Sequence, residues 1–326
     1  MVGIEIFFSM KKIIRGFDFL KFFMATMVAL GHLKGLVELP NIEKFFLPFM
    51  GAAVPTFFVI SAFLFWRKQV TPPCKKYCFR LLVLYICWHI VYSPLIIHKY
   101  VMGNSDGNFA FLRDFIFGYS LSGGWFVASL IWGMLLIYLL KKCKVHDLII
   151  VLIAILSYLF VYMHEIFNNI LLDSFYTTIQ YVLNDKLIYS PFVSFPWVVM
   201  GYIMSKSDVI MHLEKNKIGN KIVVLIGISS MLLDMIYPDY WYLPTIPLTL
   251  SIFIYCYRLN LPESPICEYL RNYSIILFFV HFFFIRFIFE PKLLSFVVFY
   301  VASISIAMMI VYLSEKRHFK ILNKLY

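Results

Sequence analysis

The sequence predicts an all-α polytopic membrane protein with about ten transmembrane helices. Of its 326 residues, 62% are hydrophobic and only 14% are charged, whereas an ordinary soluble domain is about 25% charged. Apolar stretches of roughly 17 to 25 residues recur along the chain, and each is long enough as a helix to cross a bilayer. Basic residues gather at the borders of these stretches. These three observations together predict a chain that lies in a membrane from end to end.

The hydropathy of the sequence predicts ten spans. Each is long enough to cross the roughly 30 Å hydrocarbon layer. They are residues 15–37, 45–66, 78–97, 122–140, 147–164, 187–205, 221–237, 241–257, 270–289 and 292–313. The first span lacks a clear small-residue cleavage site, so we expect it to remain as a signal anchor. We expect residues 1–326 to form a single integral-membrane domain. Within it, 1–14 form a cytoplasmic N-terminal segment and 314–326 a cytoplasmic tail.

The basic residues predict the orientation of these spans. With both termini in the cytoplasm, most of the 29 Lys and Arg residues lie in cytoplasmic segments, as the positive-inside rule requires. The net charge of +11 therefore indicates membrane topology and not binding to nucleic acid. The predicted outer loops contain no cysteine, so no disulfide framework is expected. Cys74 and Cys78 lack nearby further ligands, so no metal site is predicted.

Five prolines fall inside or at the ends of the predicted spans, where helices can bend or break. They are Pro55, Pro94, Pro196, Pro244 and Pro247. Such breaks are tolerated in membranes where neighbouring helices or a water-filled cavity satisfy the freed backbone groups. We detect no internal repeat, which argues against a transporter built from paired halves.

The first span carries three ionisable groups in the stretch "FDFLKFFMATMVALGH", residues 17–32. Lys21 and His32 are 11 residues apart, which on a helix leaves them within about 20° of one direction and roughly 16 Å apart. Asp18 lies one turn before Lys21 and could pair with its ammonium. Ionisable groups inside a bilayer normally face a bundle interior or an aqueous path. The alternative is that Lys21 extends to the headgroups while His32 merely hydrogen-bonds a neighbouring helix.

This arrangement resembles the membrane-bound acyltransferase-3 family, of the bacterial O-acetyltransferase type. The resemblance is to the membrane core of that family only. In that family the first helix usually carries Arg, ten residues and then His, and Lys21 stands in the Arg position. Lysine keeps the charge but lacks the bidentate fork that suits a carboxylate or phosphate. "VPTFFVISAFLFWRK" resembles the family's second helix, although Ala62 replaces its usual glycine. "KKYCFRLLVLY" resembles the basic entry to the third helix, with looser spacing of its basic residues.

Three later stretches follow in the family's order. "GGWFVASLIWGMLL" resembles the Trp-Phe motif that opens helix four, at Trp125 and Phe126. "FPWVVMGYIMSK" and "SIILFFVHFFF" resemble the later helices that contain glycine and histidine, with Gly201 and His281 as counterparts. The resemblance therefore covers nearly the whole chain. It rests on order and spacing, because no single motif is decisive in a sequence with 35 Phe.

The resemblance implies an O-acyltransferase of the bacterial cytoplasmic membrane. It would transfer an acyl group, usually acetyl from acetyl-CoA, to a hydroxyl of a surface or secreted glycan or its lipid-linked precursor. His32 is the candidate general base, because imidazole titrates near neutral pH. Lys21, Lys75, Lys76 and Arg80 are the candidate binding residues for the donor, where cations would hold its phosphates. Ordinary positive-inside topology explains the same cations equally simply.

Four residues are candidates for supporting roles. Asp18 would hold Lys21, and His281 would orient the acceptor or His32. Ser61 could act as a nucleophile only beside a base, and a membrane serine more often bonds a carbonyl. Trp125 could stack on a sugar or on pantetheine, although an interfacial aromatic belt explains it as simply.

Other functions fit the same pattern of spans. A transporter or flippase for a lipid-linked saccharide would use the charged cavity without consuming acetyl-CoA. A glycan polymerase usually carries a large outer loop, and the longest predicted outer connections here, 98–121 and 165–186, are too short to form a domain. A noncatalytic partner in glycan export is a third interpretation. The acceptor, the acyl group and the oligomeric state do not follow from the sequence.

Overall fold

The computed structural model of the chain is predominantly helical in the residues that it describes. The described residues are 14–33, 40–67, 74–102, 107–167, 170–183, 187–237, 242–259, 261–262, 264–285 and 293–326. The α-helices are α1 (Arg15–Leu33), α2 (Pro40–Trp66), α3 (Cys74–Val91), α4 (Ser93–Ile97), α5 (Gly107–Phe117), α6 (Gly124–Lys142), α7 (Asp147–Phe167), α8 (Ile170–Val182), α9 (Pro191–Met204), α10 (Ser207–Lys215), α11 (Lys217–Ile236), α12 (Tyr242–Arg258), α13 (Pro265–Ile285) and α14 (Leu293–Ser314). No strand occurs in these residues, so the all-α prediction is confirmed for them.

The chain is a multi-pass membrane protein. Among the described residues, four helices are long and apolar enough to cross a membrane: Lys44–Trp66, Gly124–Lys142, Lys217–Ile236 and Val297–Ser314. A bent pair of helices is a fifth candidate, and α7 and α9 contain shorter apolar helices. The total of ten spans and the cytoplasmic position of both termini stay predictions.

The bent pair lies where Pro94 predicts a break. Helix α3 ends at Val91, α4 begins at Ser93, and a π-helical turn continues to Met102. The two parts meet at 73°, because proline lacks the N–H that would continue the helical ladder and its ring clashes with the preceding turn. By contrast, α2, α9 and α12 continue through their own prolines.

The two longest predicted outer connections contain helices of their own. Helix α5 occupies part of 98–121, and α8 occupies most of 165–186. A hydropathy reading misses such helices, because it detects only segments long enough to span the bilayer.

The chain divides into two compact units, Met1–Ile60 with Ser205–Tyr326 and Ser61–Met204. In the first unit α1 packs against α12 and α13, α13 packs against α14, and α11 packs against α12. Apolar lipid tails offer no hydrophobic gain to helix association, so close backbone approach through small residues matters instead. Gly16 provides such an approach: a Cβ built on it would lie 2.1 Å from the carbonyl oxygen of Cys256. The single-domain organisation stays a prediction.

In the second unit α6 packs against α3 and α9, and α9 packs against α7. Gly133 of α6 faces Val198 of α9 so closely that a Cβ on the glycine would lie 2.9 Å from a Val198 methyl group. At the ends of α6 and α7, Lys141 forms an ion pair of 2.8 Å with Asp147, which also accepts a hydrogen bond of 2.6 Å from the Tyr202 hydroxyl. Lys141 is thus engaged by a carboxylate of its own chain.

Candidate functional site

Helix α1 presents the three ionisable groups of the first predicted span on one continuous helix, Arg15–Leu33. Because the helix is unbroken, the 11-residue separation of Lys21 and His32 places them roughly 16 Å apart along its axis. Asp18 is buried, Lys21 is half-buried and His32 is exposed. The helix therefore carries its carboxylate and ammonium near one end and its imidazole near the other.

The His32 ring lies against a second histidine, His281 of α13. The two ring centroids are 5.4 Å apart with the ring planes inclined by 27°, and the ring of Phe282 lies 4.6 Å from that of His32. His281 is only 5% exposed, so His32 is the exposed member of the pair. The packing of α13 on α1 brings together two histidines that are far apart in sequence.

The hydrogen bonding of His281 defines its tautomer. Its Nδ1 lies 2.9 Å from the carbonyl oxygen of Leu277, and a carbonyl accepts only, so Nδ1 carries a proton. In the neutral ring Nε2 is then an unprotonated acceptor. Nε2 is buried and has no hydrogen-bond partner among the described residues. A buried acceptor without a partner costs folding free energy, and such groups are often found at functional sites. Nε2 is therefore able to accept a hydrogen bond.

At the other end of α1, Asp18 has a cationic partner on another helix in addition to the expected Lys21. Its Oδ1 lies 4.0 Å from Nη1 of Arg271 on α13, and the positive charges of Lys21 and Arg15 also act on it. Arg271 in turn donates a 3.0 Å hydrogen bond to Glu268. Asp18 therefore joins two helices and does not serve Lys21 alone.

Two contacts define how α1 and α13 run. Asp18 meets Arg271 near the beginning of each helix, and His32 meets His281 further along each. The two helices are therefore parallel, and both carry charged groups at one end and a histidine at the other. Parallel helices start on the same side of a membrane, which is compatible with their predicted places as spans one and nine.

The other candidates belong to the second unit. Lys75, Lys76 and Arg80 are exposed in the first turns of α3, and no described carboxylate forms a salt bridge with them. Lys76 and Arg80 are four residues apart, so they share one face of the helix. Exposed cations on one face are able to bind phosphate oxygens.

Ser61 and Trp125 have neighbours that argue for structural roles. Ser61 hydrogen-bonds the side chain of Tyr77, and a phenol is not the adjoining base that a serine nucleophile needs. The half-buried Trp125 ring lies 5.1 Å from the ring of Tyr189. Their predicted supporting roles stay predictions.

A charged cluster around Asp114 is absent from the candidates that the sequence suggested. The carboxylate is 2% exposed and accepts hydrogen bonds from Tyr100 at 2.5 Å, Arg113 at 3.1 Å and Lys99 at 3.3 Å. Lys99 also donates to the carbonyl oxygen of Tyr119. The cluster joins the π-helical turn His98–Met102 to α5. In the sequence only Arg113 adjoins Asp114, since Tyr100 and Lys99 lie 14 and 15 residues before it.

Asp114 lies outside the predicted spans, and its surroundings shift its acidity. Burial by itself raises the pKa of the carboxyl. The hydrogen bonds from Tyr100 and Arg113 and the charge of Lys99 outweigh burial, so the pKa lies below its usual value. A carboxyl with a lower pKa in the folded state stabilises the fold above its unfolded pKa of about 3.9. That stabilisation is lost as the pH falls through the folded pKa.

Asp114→Asn is therefore expected to destabilise the protein at pH 7 by about 3 kcal/mol, because it leaves buried donors without their charged acceptor. The melting temperatures of mutant and wild type, measured in detergent, should converge as the pH is lowered toward 3. The exposed Asp208 provides a control, and Asp208→Asn should melt like wild type at every pH. An Asp114→Asn deficit that persists unchanged at low pH would contradict the role of the charge.

A family model described as an acyltransferase domain, that of acyltransferase 3, matches residues 14–315. This match covers nearly the whole chain. The chain belongs to the acyltransferase-3 family. Membership supports acyl transfer as the general chemistry of this acyltransferase, and it confirms the resemblance seen in the sequence. Neither the search of curated proteins nor the search of solved structures found a match.

Proposed function

We propose that this acyltransferase-3 protein transfers an acyl group, most simply acetyl, from cytoplasmic acyl-CoA to a hydroxyl of a surface glycan or its lipid-linked precursor. The observation that carries the proposal is the His32–His281 pair, with its exposed ring and its buried unprotonated nitrogen. An exposed imidazole can reach a substrate hydroxyl, and a base must be within hydrogen-bond reach of the proton that it removes.

In this proposal the acceptor hydroxyl attacks the thioester carbonyl while His32 removes its proton. The resulting tetrahedral intermediate collapses by breaking the carbon–sulfur bond. The CoA thiolate leaves and takes the proton back from the His32 imidazolium, so that an ester and CoA thiol are formed. The His281 ring packs against the His32 ring with the two centroids 5.4 Å apart, and it is proposed to hold His32 in the orientation that removes the proton. His281 is thus a positioning residue in this scheme.

The charged end of α1 supports the binding of the acyl-CoA donor near Lys21. Lys21 is too far from His32 to touch the same atom, but the extended pantetheine arm of acyl-CoA can bridge such a distance. The cations at the start of α3, Lys75, Lys76 and Arg80, are proposed to bind the phosphates of the nucleotide by charge-assisted hydrogen bonds. Each of them is exposed and thus accessible to a donor in water.

The proposal is tested by incubating the purified protein in nanodiscs with acyl-CoA labelled in the acyl group and a panel of glycans. We expect labelled CoA to bind and the label to pass to one class of acceptor. Failure of well-folded protein to bind any acyl-CoA would contradict the proposal. That result would favour transport of a lipid-linked saccharide, which consumes no acyl-CoA.

Arg80→Ala is expected to raise KM for acyl-CoA by about 10- to 100-fold, because a hydrogen bond between charged groups contributes about 1.5–3 kcal/mol. kcat should change little, since the phosphates are bound equally in the ground and transition states. Steady-state kinetics with varied acyl-CoA measures both constants. Lys320→Ala, at an exposed cation of the C-terminal segment, is the control. An unchanged KM in Arg80→Ala would return Arg80 to a purely topological role.

A further inference from the structure

A groove of about 490 Å³ opens between α11 and α12 in the first unit. Its walls are mostly apolar and include Val224, Leu225 and Ile254, and two cations, Lys221 and Arg258, complete the lining. Helix α11 is long and apolar enough to cross a membrane. The groove therefore has an apolar surface that suits a hydrocarbon chain, and it also has two positive charges.

The two cations lie at the same end of the helix pair. Lys221 is in the second turn of α11 and Arg258 is the last residue of α12. The helices follow each other in the chain and pack together, so the start of one lies beside the end of the other. No described carboxylate forms a salt bridge with either cation. The two positive charges are thus available to an anion at the mouth of an apolar groove.

The walls of the groove are held in place by contacts between the helices. The Ser251 hydroxyl lies 2.5 Å from the carbonyl oxygen of Val223 and 2.8 Å from that of Pro247, and it shares its single proton between them. A Cβ on Gly227 would lie 2.1 Å from the Ser251 oxygen, so the backbones touch closely there. The side chain of buried Asn220, which also lines the groove, donates to the carbonyl oxygen of Leu213. A site that is formed in advance loses little entropy when its ligand binds.

We infer that this groove binds an anionic phospholipid, with its phosphate between Lys221 and Arg258 and an acyl chain along the apolar wall. Basic pockets between membrane helices bind anionic headgroups in this way. The apolar wall distinguishes such a lipid from a free phosphate, which has nothing to place against Val224 and Ile254. The charge distinguishes it from a zwitterionic lipid. The inference does not depend on the proposed acyl transfer.

Native mass spectrometry of the detergent-purified full chain tests the site. The probes are phosphatidylglycerol and phosphatidylcholine with identical acyl chains. We expect wild type to retain phosphatidylglycerol preferentially, and Lys221→Gln with Arg258→Gln to weaken that retention by about 30-fold, from two charges. Lys215→Gln with Lys217→Gln removes two charges near the same end of α11 that do not line the groove, and it should retain the lipid as wild type does.

A second variant tests the apolar wall without changing the charge. Val224→Trp fills the groove and is expected to reduce retention of phosphatidylglycerol while both cations remain. Melting temperatures confirm that each variant is folded. Equal loss in the control double variant would show that surface charge alone attracts the lipid and would overturn the site. Displacement of the lipid by inorganic phosphate would overturn it as well, because the site would then recognise the phosphate alone. Displacement by acyl-CoA would instead assign the groove to the acyl donor and would also overturn the lipid site.

Discussion

His32→Ala is expected to lower kcat/KM for acyl transfer by about 10²- to 10⁴-fold, the usual contribution of a general base. The exposed His32 ring is the member of the histidine pair that a substrate hydroxyl can reach. Binding of acyl-CoA should be nearly unchanged, because the base acts on the acceptor hydroxyl. Turnover of labelled acyl-CoA and its equilibrium binding, measured on the same preparation, separate the two effects.

His281→Ala separates the roles of the two rings. We expect it to lower kcat by about tenfold, because His32 loses the ring that packs against it and becomes less well oriented, and to leave KM for acyl-CoA unchanged. His212→Asn, at an exposed histidine of α10, controls for a general effect of removing imidazole. Full activity in His32→Ala with loss of activity in His281→Ala would reverse the assignment and make the buried ring the base.

Gly16→Ala is expected to destabilise the first unit strongly, although it adds only one methyl group. The added Cβ would lie 2.1 Å from the carbonyl oxygen of Cys256, and that oxygen is backbone, which cannot rotate away. Helix α1 must then move from α12, at a cost of about 1–3 kcal/mol or more. Because α1 also carries Asp18 and His32, transfer activity should fall together with stability. Melting temperature and yield of folded protein in detergent measure the effect.

Gly31→Ala is a matched control on the same helix. Its added Cβ would have Met50 Cβ as its nearest neighbour at 3.5 Å, an ordinary contact. Alanine is favoured over glycine inside a helix by about 0.5–1 kcal/mol, so this variant should be as stable as wild type or slightly more stable. Similar melting temperatures for the two variants would contradict the close approach of α1 and α12.

Local rules were enough for the features that depend on neighbouring residues along the chain. The all-α class followed from the apolar runs, and the shared direction of Lys21 and His32 followed from helical geometry. The break beside Pro94 followed from the missing N–H. The length of the apolar runs was less informative, because helices such as α5 and α8 are too short to register in hydropathy. The resemblance to the acyltransferase-3 family, which the family match confirms, also needed nothing beyond the order of motifs.

The contacts between helices required the tertiary structure. The sequence marked His281 as a candidate, but only the parallel packing of α13 on α1 places its ring 5.4 Å from His32. The same packing adds Arg271 as a partner of Asp18, where the sequence suggested Lys21 alone. A helical repeat specifies which residues share a face. It does not specify which helix that face will meet, because that choice depends on how side chains from distant parts of the chain fit together.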